Sequence, residues 1–168
     1  MKIMTATAVL AALVGIAHAG APDPERDVQI RSINLETNVV EIHNFGATAM
    51  PLDGWRFCTH SASQVRRYTG ANALNGESIA AGGSLLIYMG NDSPGGANEF
   101  NASDLGNFAN DFGQGPYAME LFWPNGGTLT FGSTDDMVDH IQWDVNGTGS
   151  AVADQRSQQA VNAGLWTD

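Results

Sequence analysis

The stretch Val39–Gly46 reads Val-Val-Glu-Ile-His-Asn-Phe-Gly, and after a short turn Leu52–Trp55 reads Leu-Asp-Gly-Trp. Apolar and polar residues alternate through the first segment, which is typical of a strand with one buried face. In the second segment, Gly54 permits a tight backbone turn directly before a bulky indole. Because an indole buries a large apolar area, we expect Trp55 to lie at the centre of the core.

Strand-like segments recur along the chain at short spacing. The others are Val28–Arg31, Trp55–Thr59, Gln64–Tyr68, Ser84–Met89, Ala118–Trp123, Thr128–Phe131 and Met137–Trp143. The dipeptide Asn125-Gly126 predicts a hairpin that joins Ala118–Trp123 to Thr128–Phe131. Residues 151–163 are rich in Ala and Gln and predict one short C-terminal helix that ends at Gly164. The pattern favours an all-β antiparallel sandwich of about seven to nine strands over a βαβ sheet.

We expect the two sheets of this sandwich to share one apolar core. Its expected members are Ile30, Val40, Ile42, Leu52, Trp55, Phe57, Leu85, Ile87, Leu121, Leu129, Phe131, Ile141 and Trp143. Residues 90–116 break the short spacing with a segment rich in Gly, Asn and Asp. This insert predicts a long loop, and unstructured loops of that length in compact domains are commonly functional.

The N-terminus has the features of a secretory signal peptide over residues 1–19. Lys2 precedes an apolar run, Ile3–Ile16, and Ala17-His18-Ala19 fits the small-x-small cleavage rule. The run is shorter than the roughly 20 residues that a bilayer span needs. Residues 20–27 form a polar lead-in, and 28–168 form the domain. We therefore expect a secreted protein, extracellular or periplasmic, without a membrane span; the alternative is a membrane-anchoring N-terminal helix.

The chain is strongly acidic. Its 168 residues include 18 Asp and Glu against 7 Lys and Arg, a formal net charge of −11. Lys2 is the only lysine, so loss of the signal peptide changes −11 to −12. Because such a chain repels nucleic acid, we exclude a nucleic-acid partner. The one basic cluster, Arg66-Arg67-Tyr68, is interpreted as a local arginine–carboxylate contact.

The opening motif resembles the lamin-tail domain family in its exported bacterial type. Members have a strand of the form apolar-Glu-apolar-x-Asn, a short turn, and then Leu-x-Gly-Trp. The segments Ile79–Gly83, Leu85–Tyr88 and Val138–Trp143 are similar to further family segments in the same order. The resemblance spans about residues 28–145.

This resemblance implies an immunoglobulin-like β-sandwich that serves as an interaction module. The residues that carry the family motif are Glu41, Asn44, Leu52, Gly54 and Trp55. For Glu41 two interpretations stay open: it accepts hydrogen bonds from a turn or an arginine, or it faces solvent.

The groups that could do chemistry do not form a recognisable motif. His43, His60 and His140 fit no common zinc spacing, so we expect isolated strand histidines. Cys58 is interpreted as a half-buried strand residue, with an intermolecular disulfide as the alternative. Cys58 and His60 share a strand face, but no orienting partner can be named, which argues against a nucleophile pair.

Two sets of residues with side-chain oxygens are further candidates for a site. Asp135, Asp136 and Asp139 are interpreted as solvated turn carboxylates and not as a glycosidase pair. Asp144, Asn146 and Thr148 place oxygen ligands at i, i+2 and i+4 and form a calcium candidate. An ordinary Asn-Gly turn is the favoured interpretation of that segment, and no other cofactor is expected.

The predicted function is a secreted, non-catalytic module that binds a cell-surface or matrix protein or glycan, through loops of the insert. Two alternatives stay open. One is an exported hydrolase whose site lies in the 90–116 insert. The other is a carbohydrate-binding sandwich, for which Tyr88 and Phe122 could present outward rings.

Overall fold

The computed structural model describes residues 23–60, 66–90, 92–106, 117–143 and 151–165. The described residues form ten strands: β1 Val28–Asn34, β2 Val39–Asn44, β3 Met50–Pro51, β4 Arg56–His60, β5 Arg66–Tyr68, β6 Ser78–Ile79, β7 Ser84–Tyr88, β8 Glu99–Asn101, β9 Tyr117–Phe122 and β10 Met137–Trp143. They also form helix α1, Pro24–Asp27, a 3-10 helix, Ala102–Leu105, and helix α2, Ala151–Asn162. The prediction of a mostly β chain with a short C-terminal helix is confirmed.

Two four-stranded sheets dominate the structure. The first has the order β1-β2-β7-β8 and the second the order β10-β9-β4-β5, while β3 and β6 form a small ladder of their own. The strand pairs are antiparallel except β7 with β8, which is parallel. Inward-facing residues of both sheets meet in one apolar core, so the arrangement is sandwich-like.

Trp55 lies inside this core with 1% of its surface exposed, as the sequence predicts. The other expected core residues that are fully buried are Val40, Ile42, Leu52, Phe57, Leu85, Ile87 and Leu121. Ile30, Ile141 and Trp143 are half-buried and pack against the core from its edge. Leu129 and Phe131 instead pack against a second apolar cluster on the outer face of the second sheet.

The predicted strand Thr128–Phe131 is wrong. Both edges of β9 are already paired, one with β10 and the other with β4, so no edge is available for a hairpin partner. Asn125-Gly126 does turn the chain, with Gly126 at φ +71°. The segment after it then crosses the outer face of the sheet, where the Phe131 ring packs edge-on against Phe122, 5.1 Å away between ring centroids.

The described part of the 90–116 insert is more than a loop, contrary to expectation. Strand β8 pairs in parallel with β7 and completes the first sheet. The 3-10 helix that follows buries Ala102 and Leu105 in the core. Although this segment is rich in Gly, Asn and Asp, its few apolar residues lie at the edge of the first sheet, where they cover the core. Residues 107–116 lie outside the described residues.

Helix α2 packs on the outer face of the second sheet, against β10 and β9. Gly164 follows the helix at φ +76°, as predicted for its C-terminal stop, and Leu165 packs against the second apolar cluster. Within the described ranges, neither helix has the length and apolar character to cross a bilayer. The predicted signal peptide lies outside the described residues and stays a prediction.

Candidate functional site

Beneath α2, the outer face of the second sheet carries a row of polar side chains. Cys58 on β4 lies opposite Glu120 on β9, and Glu120 lies opposite His140 on β10. His60 is two residues from Cys58 on the same strand and therefore projects from the same face. Arg156 reaches the row from α2. The fold thus gathers a thiol, a carboxylate, two imidazoles and a guanidinium in one place.

The contacts within this row, which we call the buried polar cluster, are short. The Sγ atom of Cys58 is 3.1 Å from Nε2 of His60, and that Nε2 is 3.3 Å from a carboxylate oxygen of Glu120. The other oxygen of Glu120 is 3.3 Å from Nδ1 of His140. The Nε atom of Arg156 donates to His60 Nε2 at 3.4 Å.

The cluster is sealed from solvent. Cys58 and Glu120 are 0% exposed, His60 1%, His140 2% and Arg156 6%. Its walls are apolar, formed by Phe122, Met137 and Ala160. Burial of a carboxylate or a thiol away from water costs free energy unless neighbouring groups compensate.

The electrostatics of the cluster act in opposite directions on its two acids. Burial alone would raise the pKa of Glu120, but the contacts and electrostatic interactions with His140 and His60 outweigh it and lower that pKa to about 2. Burial, followed by the charge of Glu120, raises the pKa of the Cys58 thiol far above its usual value. The carboxylate is therefore ionised at neutral pH, and the thiol keeps its proton.

This geometry does not suit a nucleophile–base pair. In such a pair the base contacts the nucleophile through one ring nitrogen and its orienting carboxylate through the other. Here Cys58 and Glu120 both contact Nε2 of His60, while Nδ1 has no hydrogen-bond partner among the described residues. The arrangement instead brings three ligand-type atoms, one each from Cys58, His60 and Glu120, within 4.8 Å of one another.

The expectation of isolated histidines is wrong for His60 and His140. Sequence spacing missed them because their common neighbour, Glu120, lies some sixty residues from one and twenty from the other. One signal was present: Glu120 is a charged residue in the middle of the otherwise apolar strand Tyr117–Phe122. His43 lies apart, where Nδ1 contacts Ser84 Oγ at 2.8 Å.

The motif residue Glu41 faces partners on its own sheet. Its carboxylate accepts hydrogen bonds from Ser84 Oγ at 2.7 Å and from Arg31 at 3.2 Å, which decides between the two interpretations left open. The hydrogen bond from Ser84 is the largest cause of a lowered Glu41 pKa; partial burial opposes it, and the Arg31 charge reinforces it. Glu41 therefore has a local structural role.

Asn44 and Gly54 fix the backbone around the core. The buried amide of Asn44 donates to the carbonyls of Thr48 and Ile79 and accepts from Gly46 N–H. Gly54 has φ +75°, and a Cβ atom there would lie 2.9 Å from Pro124 Cγ. Leu52 and Trp55 are buried core residues.

The predicted calcium ligands Asp144, Asn146 and Thr148 lie outside the described residues, and that hypothesis stays a prediction. Of the three carboxylates predicted to be solvated, Asp135 is exposed, but Asp136 and Asp139 differ from expectation. Asp136 is buried and accepts a hydrogen bond from Thr130 N–H at 2.7 Å, and Asp139 is half-buried. These two carboxylates are structural acceptors and not solvated turn groups.

A groove adjoins the buried polar cluster where α2 meets β5. It encloses about 250 Å³ and is lined by Arg66, Tyr68, Phe131, Gly132, Gln155, Arg156 and Gln159. The rings of Tyr68 and Phe131 pack with centroids 4.2 Å apart. We call this feature the arginine groove. Of the rings expected to face outward, Phe122 is fully buried and Tyr88 is half-buried.

Comparison with known proteins adds no relative: no protein-family model matches this chain, and no curated protein matches it.

Proposed function

We propose that this chain is an exported, non-catalytic interaction module of the lamin-tail type, with an immunoglobulin-like sandwich, whose ligand is an acidic glycan of the cell surface or matrix. Support for the fold comes from the motif, since Trp55 lies between two sheets that close over it. Support for the ligand class comes from the arginine groove.

One observation carries the proposal. Arg66 and Arg156 both line the arginine groove, and neither has a carboxylate partner among the described residues. Arg66 is exposed, and among the described residues it donates to the neutral amide of Gln155, at 3.3 Å. In a chain with 18 acidic residues, two arginines that lack a carboxylate partner within the described part of the chain form a local positive site in a negative field. A carboxylate or sulfate is the complementary ligand group, because a guanidinium binds such oxygens in a bidentate manner.

The rest of the groove fits a sugar ring. Tyr68 and Phe131 supply aromatic surface, and Gln155 and Gln159 supply amide groups. A volume of about 250 Å³ lies just below the roughly 300 Å³ lower limit of drug-sized pockets, which suits one sugar unit. This location replaces the expected insert loops, whose described part belongs to the first sheet and the core.

The non-catalytic part of the proposal is supported by burial. An enzyme needs its acid, base or nucleophile within reach of substrate in a pocket. The groups with such chemistry, Cys58, His60 and Glu120, are sealed beneath α2. The described residues that line the arginine groove supply donors and rings, and none of them is a carboxylate or a histidine.

An array of neutral and acidic glycans and matrix proteins, probed with the secreted chain, tests the proposal. We expect binding to glycans that carry carboxylate or sulfate, weakened at high salt. Arg66→Ala should weaken it at least tenfold, because it removes the exposed donor. Arg31→Ala is the matched control, since Arg31 is also exposed but lies on the first sheet and pairs with Glu41.

Equal loss in both arginine variants would show that only net charge matters and would contradict a groove. Binding confined to proteins would contradict the glycan ligand. Turnover of any glycan by the wild-type chain would contradict the non-catalytic assignment. Export is tested separately, by finding Gly20 as the first residue of the protein recovered outside the cell.

A further inference from the structure

The ligand-type atoms of the buried polar cluster are placed for a metal ion. We propose that Cys58, His60 and Glu120 bind one zinc ion beneath α2, through Sγ, Nε2 and a carboxylate oxygen. This inference concerns a site distinct from the glycan groove and does not depend on the proposed function.

The distances are close to those between ligands that share an ion. With zinc–nitrogen and zinc–oxygen bonds of about 2.0–2.1 Å and a zinc–sulfur bond of about 2.3 Å, ligand atoms at tetrahedral angles lie roughly 3.3–3.6 Å apart. The observed separations are 3.1 Å from Cys58 Sγ to His60 Nε2 and 3.3 Å from that nitrogen to Glu120. The three atoms all lie within 4.8 Å of one another, close enough to share one ion.

Polar atoms of the buried polar cluster lack hydrogen-bond partners among the described residues, as the ligand atoms of a metal site do before the ion binds. Neither carboxylate oxygen of Glu120 makes an aligned hydrogen bond within the described part of the chain, although both lie 3.3 Å from an imidazole nitrogen. Buried polar atoms are rarely left in this condition, because the loss of hydration is then uncompensated. A cation shared by Glu120 and His60 would supply the missing interaction.

The scaffold is rigid enough to hold the ion. Cys58 and His60 lie two residues apart on β4, and Glu120 is the direct cross-strand neighbour of Cys58 on β9. His140 contacts the far oxygen of Glu120 from β10, so it positions that carboxylate as an outer group of the site. Ligands on central strands are held more precisely than ligands on loops.

Charge balance favours a divalent ion. Binding replaces the thiol proton of Cys58, which leaves to solvent as H⁺, while Glu120 is already an anion and His60 binds through a neutral nitrogen. The thiolate and the carboxylate then cancel the double charge of zinc. The Nε–H of Arg156, which donates to His60 Nε2 when no ion is bound, has to leave that nitrogen when it binds zinc, while a terminal nitrogen of the same guanidinium stays on the Phe131 carbonyl and Gln159. The guanidinium then lies beside a neutral complex. A mixed sulfur, nitrogen and oxygen donor set is one that zinc accepts.

The experiment uses the whole secreted chain, stripped with a chelator and titrated with Zn²⁺ alone or Co²⁺ alone. We expect one bound zinc ion per chain and a melting temperature raised by about 5 °C or more at saturating zinc. With Co²⁺ we expect a thiolate-to-cobalt charge-transfer band, which reports a bond to the single cysteine directly. The Co²⁺ spectrum needs no variant and so stands even if a substitution disturbs folding.

Variants locate the ion. Cys58→Ser should abolish the charge-transfer band and weaken zinc binding at least tenfold, and Glu120→Gln should weaken zinc binding to a similar extent while keeping the band. His43→Ala is the matched control, because His43 is a half-buried strand histidine of the other sheet, and it should change neither quantity. A wild-type chain that binds no zinc, shows no thiolate band, or keeps full zinc affinity after Cys58→Ser overturns the proposal.

Discussion

The carboxylate of Asp139 accepts a hydrogen bond from the backbone N–H of Ile30 at 2.7 Å and so joins the last strand of the second sheet to the first strand of the other. Its second oxygen accepts the N–H of His140 at 2.8 Å. Both strands have a register irregularity at this place, after Ile30 in β1 and before Asp139 in β10. A side chain thus supplies an acceptor where the bulged backbones cannot pair with each other.

Asp139→Ala should lower the free energy of unfolding by about 1–3 kcal/mol, because it leaves a part-buried N–H of Ile30 without an acceptor. Asp139→Asn should cost less, since its amide oxygen can still accept one bond. Urea unfolding followed by tryptophan fluorescence measures both. Asp135→Ala is the control, since Asp135 is exposed, and it should stay within about 0.5 kcal/mol of wild type. Equal effects at 135 and 139 would contradict the bridging role.

The carboxyl group of Asp139 also predicts that the stability of the protein depends on pH. Burial raises the pKa of Asp139 above its usual value; the N–H groups of Ile30 and His140 and the charge of His140 only partly oppose this. The folded state therefore takes up a proton more readily than the unfolded state, and this group's contribution to stability rises as pH falls through the raised pKa. The stability of wild type relative to Asp139→Asn should increase between pH 7 and pH 4. A difference that is flat or decreases over that window would contradict the raised pKa.

Alanine substitutions at Gly54 and Gly126 distinguish the energetic cost of a left-handed backbone from the cost of a steric clash. Both have positive φ, +75° and +71°, but a Cβ at Gly54 would lie 2.9 Å from Pro124, whereas one at Gly126 would meet nothing within 4 Å. Gly126→Ala should cost about 1 kcal/mol for the left-handed backbone alone. Gly54→Ala should cost about 1 kcal/mol or more beyond that, because Pro124 must shift. Equal midpoints of urea unfolding for the two variants would show that the contact with Pro124 has no energetic effect.

Asn44 should be the most sensitive polar residue of the family-like motif. Asn44→Ala leaves the carbonyls of Thr48 and Ile79 without this donor, and we expect a loss of about 3 kcal/mol. Asn34→Ala is the matched control, because Asn34 also accepts backbone N–H groups, from Glu36 and Thr37, but in an exposed turn. Asn34→Ala should lower the free energy of unfolding by about 1 kcal/mol or less. Calorimetric melting of both variants distinguishes a buried network from an ordinary turn.

The sequence predicts what depends on local pattern. Alternation predicts the strand around Glu41, because side-chain direction in a strand follows from position alone. A continuous apolar run predicts the strand around Ile87, and the Gly-Trp pair predicts the centre of the core. Strand order is not local. Whether Thr128–Phe131 pairs with β9 depends on β4 and β10 occupying both edges first, and neither is adjacent in sequence.

The buried polar cluster escaped prediction for the same reason. Cys58 and His60 were recognised as neighbours on one face, yet Glu120 and His140 join them only through cross-strand register. A charged residue at the centre of an apolar strand was the one local sign of a site. Asp139 shows the converse, since its nearness in sequence to Asp135 and Asp136 suggests a solvated carboxylate, while its acceptor role depends on the N–H of Ile30 in β1, which is distant in sequence.

The insert allows a direct test of whether amino-acid composition alone predicts the structural role of a segment. Residues 92–106 have the makeup of a loop, but Leu105 is 1% exposed and packs in the main core. Leu105→Ala should therefore cost about 2–5 kcal/mol, as expected for a cavity at a buried leucine. Asp104→Ala, at the exposed neighbouring position, should stay within about 0.5 kcal/mol of wild type. If Leu105→Ala unfolds at the same urea concentration as Asp104→Ala, the segment is a peripheral loop. If the predicted difference is seen, this segment contributes to the sheet and to the core. A deletion of residues 92–114 would then remove strand β8 together with any ligand contacts. Point substitutions are therefore the better test of ligand binding in this region.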